Sequence, residues 1–462
     1  MNIILTSALS GIILMFSGFF FKDKRHLNLL SVLLFVAMIV SAVFQLKGCE
    51  ILAGKYPNMI ETDPYRISFF MILCVVGIYY VLVNRYNFSK PGSQVSDYLA
   101  LIFISFTGIA VLASFNNLIL MFLGIEILSI PLYALAGSAK HRMRSTEAAV
   151  KYFLMGAFST GIMLMGITLI YGASGSFLLE NITAYAFDFQ SIYYLGWVLL
   201  ILSLCFKVSV APLHFWAPDV YDGSPTVFSS YMITIVKGAA FMTFITVMSA
   251  FKITSEIVSN NYQYLLSFII ILTLILGNFS ALKQTSVKRM LAYSSVVQAG
   301  FMMFALFEIN EASKNALLFY TISYGLASVV LFYALTKVKN DYKDFNGLSQ
   351  RAPVLAFAST IALLSLSGIP FTSGFLAKFM ILSSAMGDPS NLILVIAALV
   401  LAVLSIYYYI KVIIAMYFRS SKEKTIKLSF TTQLLLIAGT VLTIALGVYP
   451  NLLWMALNCL AK

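Results

Sequence analysis

Four ionisable side chains fall inside long apolar stretches of the sequence, and residues of these types can carry protons. They are Glu126, Lys207, Lys237 and Lys378. A charge at the centre of a bilayer costs about 2.5 to 3.5 kcal/mol on the insertion scale, so each group must face protein or water. Burial favours a neutral lysine and a nearby carboxylate favours a charged one, so a lysine held between the two can be switched. We therefore predict a proton relay in which Glu126 approaches or leaves Lys207. The proton then passes to Lys237 and on to Lys378.

Three further residues are candidates for the same relay. Glu147 and Lys151 are four residues apart with the glutamate first, the favoured order for a helical ion pair. The two residues either form a structural ion pair near the membrane surface or take part in proton transfer. His214 lies beside a proline interruption and is either an ordinary interfacial histidine or a relay group. Lys411, near the end of its helix, can extend its amine to the membrane surface.

The elements that must position these groups are apolar and long. The 462 residues are 60% hydrophobic and 10% charged, with mean hydropathy +0.92, which excludes a soluble globular protein. We therefore expect an all-α, polytopic membrane protein, and the net charge of +12 does not indicate a nucleic-acid partner. Fourteen stretches have the length of transmembrane helices, at 4–21, 27–46, 67–84, 98–113, 118–137, 148–171, 192–213, 226–250, 262–282, 290–307, 316–336, 354–384, 392–418 and 430–456.

Two of these fourteen helices share an unusual pattern. The seventh holds Lys207 and Pro212, and the twelfth holds Pro370 and Lys378. A proline frees backbone carbonyls that lipid cannot satisfy, so we expect both helices to be discontinuous beside a wet cavity. Their separation by five helices predicts two inverted five-helix repeats, helices 4 to 8 and 9 to 13. The predicted divisions are 1–95 for helices 1 to 3, 96–250 and 258–420 for the repeats, and 428–462 for helix 14.

Basic residues predict the orientation of the chain. Most lysines and arginines of the connecting segments fall in alternate segments, within 22–25, 85–90, 140–144, 283–289, 337–351 and 419–427. That side is predicted to be cytoplasmic, which places both termini on the periplasmic side. The opposite side has only scattered basic residues, namely Lys47, Lys55, Arg66, Lys252, Lys314 and Lys462.

The sequence contains no pattern for a cofactor. The four cysteines, Cys49, Cys74, Cys205 and Cys459, are far apart and lack metal-ligand spacing. No phosphate-binding or dinucleotide-binding motif is present. We therefore expect no cofactor or metal in this chain, and a driving force supplied by partners or by an ion gradient.

Several segments resemble the antiporter-like subunits of respiratory complex I, the NADH-quinone oxidoreductase. The resemblance covers roughly 95–385 and lies in 124–135, 145–153, 206–226, 290–295 and 368–379. Its most specific part is the string Trp-x-Pro-Asp-Val-Tyr-x-Gly-x-Pro, which begins at Trp216. The L and M types of these subunits usually read Pro-Asp-Ala there. Where many relatives carry a histidine this chain has Gln298, so we expect hydrogen bonding rather than titration at that position.

The resemblance implies a fold and a set of roles. The fold has fourteen helices with inverted five-helix repeats, and NADH, FMN, iron–sulfur clusters and quinone belong to partner subunits. Those partners include the antiporter-like subunit M and small membrane subunits, in a bacterial plasma (inner) membrane. The implied roles are a coupled pair in Glu126 and Lys207, a central relay in Lys237, a residue near the periplasmic exit in Lys378, and an additional polar pair in Glu147 and Lys151.

Three functions are compatible with the sequence. The first is a non-redox, proton-translocating subunit of complex I. The second is a subunit of a multisubunit sodium/proton antiporter or of a related membrane-bound hydrogenase, which companion subunits would distinguish. The third is a membrane scaffold in which the buried charges only fix helix packing.

Overall fold

The protein is all-helical over the residues that the computed structural model describes, which are 1–21, 24–49, 51, 58–88, 94–182, 190–251, 256–387, 391–421 and 423–461. Three isolated bridges are its only β-type pairings in these ranges. Six of the basic residues used to predict orientation lie outside the described residues, namely Lys22, Lys55, Lys90, Lys252, Lys422 and Lys462. The side chain of Cys459 also lies outside them.

Nineteen α-helices follow one another along these ranges. They are α1 (Asn2–Phe20), α2 (Lys24–Leu46), α3 (Pro64–Phe88), α4 (Val95–Leu112), α5 (Leu118–Ala136), α6 (Met143–Ser174), α7 (Gln190–Val208), α8 (Trp216–Gly223), α9 (Thr226–Tyr231), α10 (Lys237–Ala250), α11 (Glu256–Leu282), α12 (Val287–Met302), α13 (Glu311–Lys337), α14 (Leu348–Arg351), α15 (Pro353–Ser367), α16 (Ser373–Ser384), α17 (Leu392–Phe418), α18 (Phe430–Val448) and α19 (Asn451–Ala461).

Twelve helical segments in the described ranges are long and apolar enough to cross a membrane, which confirms a polytopic membrane protein. They are α1 to α7, the segment Thr226–Ala250 that contains α9, the π-helical turn after it and α10, the apolar part of α11, and α13, α17 and α18. The tenth and twelfth predicted crossings correspond to shorter helices, α12 with 16 residues and the pair α15 and α16 with 15 and 12. The count of fourteen crossings, the division at 95, 258 and 428 and the inverted relation of the repeats therefore stay predictions.

Both predicted interruptions are present as breaks in helical structure. Helix α7 ends at Val208, and Ser209 adopts a left-handed conformation with φ of 58° before the chain turns through Pro212 into α8. Helix α15 ends at Ser367, and Gly368 follows it with φ of 84°, a backbone conformation that glycine adopts without a steric penalty. Each break leaves the last carbonyls of a helix without intrahelical partners.

The prediction of one continuous helix over 430–456 is wrong. Helix α18 ends at Val448, and α19 begins at Asn451. Pro450 lies between them, and a proline disfavours the helical conformation of the residue before it, here Tyr449.

The centre of the protein is formed by α13 and the segment Thr226–Ala250. The most apolar 18-residue windows of these two are 100% and 94% buried, against 28% for α17 and 33% for α1. Helix α13 packs against α3, α9, α15 and α16. The helix that carries Lys237, and α13, which packs against the helix of Lys378, are thus enclosed by the other helices.

Candidate proton pathway

Lys237 lies at the start of α10, directly after a π-helical turn at Met232–Val236. Its side chain is 1% exposed, and its Nζ donates to the carbonyl oxygen of Ser295 at 2.8 Å and to Ser295 Oγ at 3.3 Å. The ring of Tyr221 lies 6.0 Å away. π-turns inside helices are rare and are frequent at functional sites. The sequence pattern did not reveal this one.

Lys378 is held by the broken end of α15. Its Nζ donates to the carbonyl oxygens of Leu366 at 2.9 Å and Ser367 at 3.1 Å. These carbonyls belong to the last turn of α15, where they have no intrahelical partners. The ring of Phe301 lies 4.8 Å from Nζ. The helix break therefore supplies the oxygen ligands that make a buried lysine tolerable.

Helix α12 connects these two lysines. It carries Ser295 and, one turn later, Gln298. The Nε2 of Gln298 donates to the carbonyl of Leu366 at 3.0 Å and to the Tyr409 hydroxyl at 3.2 Å. The Leu366 carbonyl thus accepts hydrogen bonds from both Gln298 and Lys378, while Gln298 Oε1 accepts one from the Tyr320 hydroxyl. Two polar side chains one turn apart on α12 thus lie near the two lysines, although no hydrogen bond joins Ser295 to Gln298, and Gln298 forms hydrogen bonds as the sequence predicted.

Lys207 lies in the last turn of α7, and its Nζ donates to Ser129 Oγ at 3.0 Å. Ser129 in turn donates to the carbonyl of Ile125 at 2.6 Å. A cavity of about 20 Å³ adjoins Lys207 and Ser129 and is also lined by Thr243 of α10. About this volume is enough for one water molecule. The cavity reaches the helix that carries Lys237.

Glu126 precedes Ser129 by one turn on α5 and is partly exposed. Both Glu126 and Lys207 are described, and no ion pair joins them; the lysine bonds to the neutral Ser129 instead. The neighbouring Leu123 and Ile130 are 46% and 61% exposed, so this side of α5 lies at the protein surface. The structure thus places Lys207 against Ser129, one helical turn after Glu126 on α5, with no ion pair between the two residues of the predicted coupled pair.

A cluster of charges lies where α6, α8 and α12 meet. Lys151 Nζ lies 2.8 Å from Glu147 and 3.0 Å from Asp219. Arg289 reaches the other oxygen of Asp219 at 2.8 Å. Burial alone would raise the pKa of Asp219, but the hydrogen bonds from Lys151 and Arg289 bring it below its ordinary value. A cavity of about 230 Å³ opens beside the cluster.

The sequence predicted the Glu147 and Lys151 pair but missed its partners. Asp219 was noticed only as part of a motif, and Arg289 only as a basic residue in a connecting segment. Lys288 was also counted there, yet it is 3% exposed and donates to the carbonyls of Asp222 at 2.7 Å and Ser224 at 2.6 Å. The available signal was the acidic pair at 219 and 222 in a short segment between two apolar helices.

His214 lies in the break between α7 and α8 and is partly buried. Its Nδ1 is buried without a hydrogen-bond partner among the described residues. The next residue, Phe215, is 53% exposed. The structure does not join His214 to any of the lysines by a hydrogen bond.

These features define a class of protein, a multi-pass membrane protein with buried lysines and two broken helices. Residues 115–405 match the family described as NADH:quinone oxidoreductase/Mrp antiporter, transmembrane. The described residues contain no group of three or more metal-binding side chains.

Individual relatives narrow this class. NADH-quinone oxidoreductase subunit N of Flavobacterium psychrophilum is 37% identical, over 88% of this chain and 90% of that relative. A chain in the structure of respiratory complex I from Thermus thermophilus with bound aureothin is 30% identical, with TM-score 0.83 and 98% and 99% of the two chains covered. A chain of the Mrp complex from Dietzia sp. DQ12-45-1b shares the fold at 15% identity, with TM-score 0.82 and 100% and 96% covered. The chain therefore belongs to the NADH-quinone oxidoreductase subunit N family, which confirms the resemblance that its motifs indicated.

Proposed function

We propose that this chain translocates protons as a membrane-arm subunit of an NADH-quinone oxidoreductase and holds no redox centre of its own. Its membership of the subunit N family supports its place in the membrane arm of that complex. The observation that carries proton transfer is a pair of buried lysines near one helix, α12: Lys237 donates to Ser295, and one turn later Gln298 donates to the same Leu366 carbonyl as Lys378. Each lysine can give up its proton and still keep a hydrogen bond.

The proposed path begins at the charged cluster around Asp219. This cluster contains Glu147 and Lys151 and lies on the side that the basic residues predict to be cytoplasmic. The proton continues through Lys207, Lys237 and Lys378 toward the periplasm. Water in the cavity beside Lys207 would bridge the step toward α10.

Glu126 acts in this proposal as the switch on Lys207. In one state of the switch, Lys207 bonds to the neutral Ser129 and forms no ion pair with Glu126. When the carboxylate moves toward the lysine, it favours the charged amine and holds the proton. His214 would join this path at the break between α7 and α8, where its Nδ1 has no hydrogen-bond partner among the described residues.

The assembly follows from the same proposal. NADH, FMN, iron–sulfur clusters and quinone belong to partner subunits, and the neighbours in the membrane are the antiporter-like subunit M and small membrane subunits. The chain lies in a bacterial plasma (inner) membrane with both termini on the periplasmic side. The two inverted five-helix repeats would each contribute one half of the channel.

A second candidate is a subunit of a multisubunit sodium/proton antiporter or of a related membrane-bound hydrogenase. The fold shared with a chain of the Mrp complex favours it, although identity there is only 15%. Purification from native membranes separates the two functions. Companions that bind flavin and iron–sulfur clusters support the first, and a complex without redox subunits supports an antiporter.

The direct test of proton transfer uses Lys237→Met in the assembled complex, reconstituted in liposomes. Methionine is unbranched like lysine and one atom shorter, and it carries no charge. We expect a smaller pH gradient per NADH oxidised, with unchanged NADH oxidation by an artificial acceptor. Lys283→Met, at an exposed lysine, is the control and should match the wild type. A normal gradient with Lys237→Met would contradict the proposal.

A further inference from the structure

A large cavity lies on the side that is predicted to be cytoplasmic, where α3 and α13 end and where α6 and α12 begin. Its volume is about 590 Å³, which is within the range of small-molecule sites. Four basic side chains line this basic cavity, namely Arg142, Arg144, Lys288 and Lys339. Asp222 is the one carboxylate among its described lining residues, and that carboxylate lies 3.9 Å from Arg289, which is outside the lining. Positive charge is therefore in excess.

The exposed cations of the basic cavity have no acidic partners among the described residues. Arg142, Arg144 and Lys339 are exposed, and the ion pairs of the described residues on this side involve other basic residues. The connecting segment 89–93, which follows α3, contains no acidic residue. These three charges are therefore available to an anion from outside the chain.

Lys288 is the buried cation of the basic cavity. It is 3% exposed, and its Nζ donates to two neutral backbone carbonyls, those of Asp222 and Ser224. Burial lowers the pKa of Lys288 to about 8; the Asp222 carboxylate opposes this shift and the charge of Arg142 adds to it. The preference of basic residues for the cytoplasmic side accounts for exposed lysines, but it does not account for a buried lysine near another cation. An anion in the cavity would compensate that charge.

The apolar part of the wall favours a soluble anion over a lipid. Phe88, Phe228 and Leu335 line the cavity and are 2%, 4% and 3% exposed. Helix α13, which ends at the cavity, has its most apolar window 100% buried. These side chains are packed against protein, so they offer no exposed apolar face along which an acyl chain could lie.

We propose that the basic cavity binds a soluble anion that carries a phosphate group. Arg142 and Arg144 have planar guanidinium groups, which match phosphate oxygens with two parallel hydrogen bonds. Lys339 adds an exposed charge and Lys288 a buried one. This site goes beyond the proposed function, since none of the four cations belongs to the proposed proton path.

The test measures binding of radiolabelled inorganic phosphate to the purified complex by equilibrium dialysis, with chloride holding the ionic strength constant. We expect saturable binding that phosphatidic acid in mixed micelles does not displace. Lys339→Gln, at an exposed lysine, should weaken binding by roughly fivefold, the effect of one cation near the surface. Lys343→Gln, at an exposed lysine of the same connecting segment outside the cavity lining, is the matched control and should bind as the wild type does. Equal affinities of the two variants, or displacement by phosphatidic acid, would overturn the proposal.

A second measurement needs no variant. A cryo-electron microscopy map of the wild-type complex in phosphate buffer should show density beside Arg142 and Arg144 that disappears in chloride buffer. The same map in both buffers, or an acidic side chain of a partner subunit in the cavity, would overturn the proposal. Neither measurement uses NADH, so a negative result here leaves the proposed proton transfer untouched, and failure of the Lys237→Met test would leave phosphate binding untouched.

Discussion

At the scale of single residues, the hydrogen-bond partners of a buried basic side chain determine whether it can lose its proton. Arg66 is 2% exposed and pairs with Glu61 at 2.7 Å and Asp63 at 3.1 Å. Loss of the Arg66 charge would leave two carboxylates uncompensated, so this charge is fixed by its partners. Lys237 and Lys378 instead donate to backbone carbonyls, which stay neutral when the amine loses its proton. A lysine with carbonyl partners can therefore change its charge at lower cost.

The first prediction at this scale concerns Gln298. Replacing it with leucine leaves the Tyr320 hydroxyl without its acceptor and removes one of the two hydrogen bonds to the Leu366 carbonyl. A buried polar group left without a partner costs about 1 to 3 kcal/mol. The substitution also removes the polar side chain that shares the Leu366 carbonyl with Lys378, one turn after the Ser295 that holds Lys237. We expect fewer protons moved per NADH with Gln298→Leu in proteoliposomes. Gln298→His keeps a donor and an acceptor and should retain pumping; equal pumping by both variants would contradict the role of this side chain.

The second prediction concerns Glu126. Glu126→Gln keeps the shape of the side chain and removes the charge that switches Lys207, so NADH-driven proton pumping should fall. NADH oxidation with artificial acceptors should stay largely intact, because that chemistry takes place in other subunits. Glu180→Gln, at an exposed carboxylate, is the control. Equal loss of both activities in an assembled complex would argue against the assignment.

At the scale of elements, a break in a helix is what makes a lysine site inside a membrane. The last turn of α15 offers carbonyls because the chain leaves the helix at Gly368. A Cβ on Gly368 would lie 3.1 Å from the Cδ of Lys378, and the left-handed backbone there disfavours any other residue. The position of Lys378 thus depends on one glycine.

Gly368→Ala tests that dependence. The left-handed conformation costs a residue with a Cβ roughly 1 to 2 kcal/mol, and the added methyl group presses on the lysine. We expect a less stable complex and weaker pumping. Gly161→Ala, in α6, is the matched control because nothing lies within 4 Å of its added Cβ. Thermal unfolding of the purified complex and its proton pumping measure both effects; identical behaviour of the two variants would show that the break tolerates a side chain.

At the scale of the whole molecule, the Asp219 cluster ties together parts of the chain that are distant in sequence. It joins α6 through Lys151 and α12 through Arg289. These groups are about one-third exposed or more, so water and salt screen each pair and its contribution to stability is small. The cluster therefore orients the mouth of the proposed path more than it stabilises the fold.

Asp219→Asn should lower the thermal stability of the complex slightly at low ionic strength. The difference from the wild type should narrow as salt is added, because exposed ion pairs are screened. Asp97→Asn, at an exposed aspartate in the first turn of α4, is the control. A stability difference that does not change with salt would mean that Asp219 acts through packing rather than charge.

The sequence predicted the elements better than the contacts between them. Hydropathy revealed the apolar helices, and Pro212 and Pro370 revealed the two breaks, because both signals are local. The π-turn before Lys237 and the bonds between α6, α8 and α12 depend on how distant helices pack, which no local pattern records. The exposure of Glu126 was missed for the same reason, since the sequence gives its depth along α5 but not the direction that it faces.

The central claim is that Lys207, Lys237 and Lys378 are joined by exchangeable hydrogen bonds. The most direct measurement is a cryo-electron microscopy map of the assembled complex in which ordered waters are visible. The account predicts water in the cavity beside Lys207 and a chain of waters or polar groups from there to Lys237, and onward past Gln298 to Lys378. A dry apolar layer between any two of these lysines, unchanged between resting and NADH-supplied samples, would contradict it.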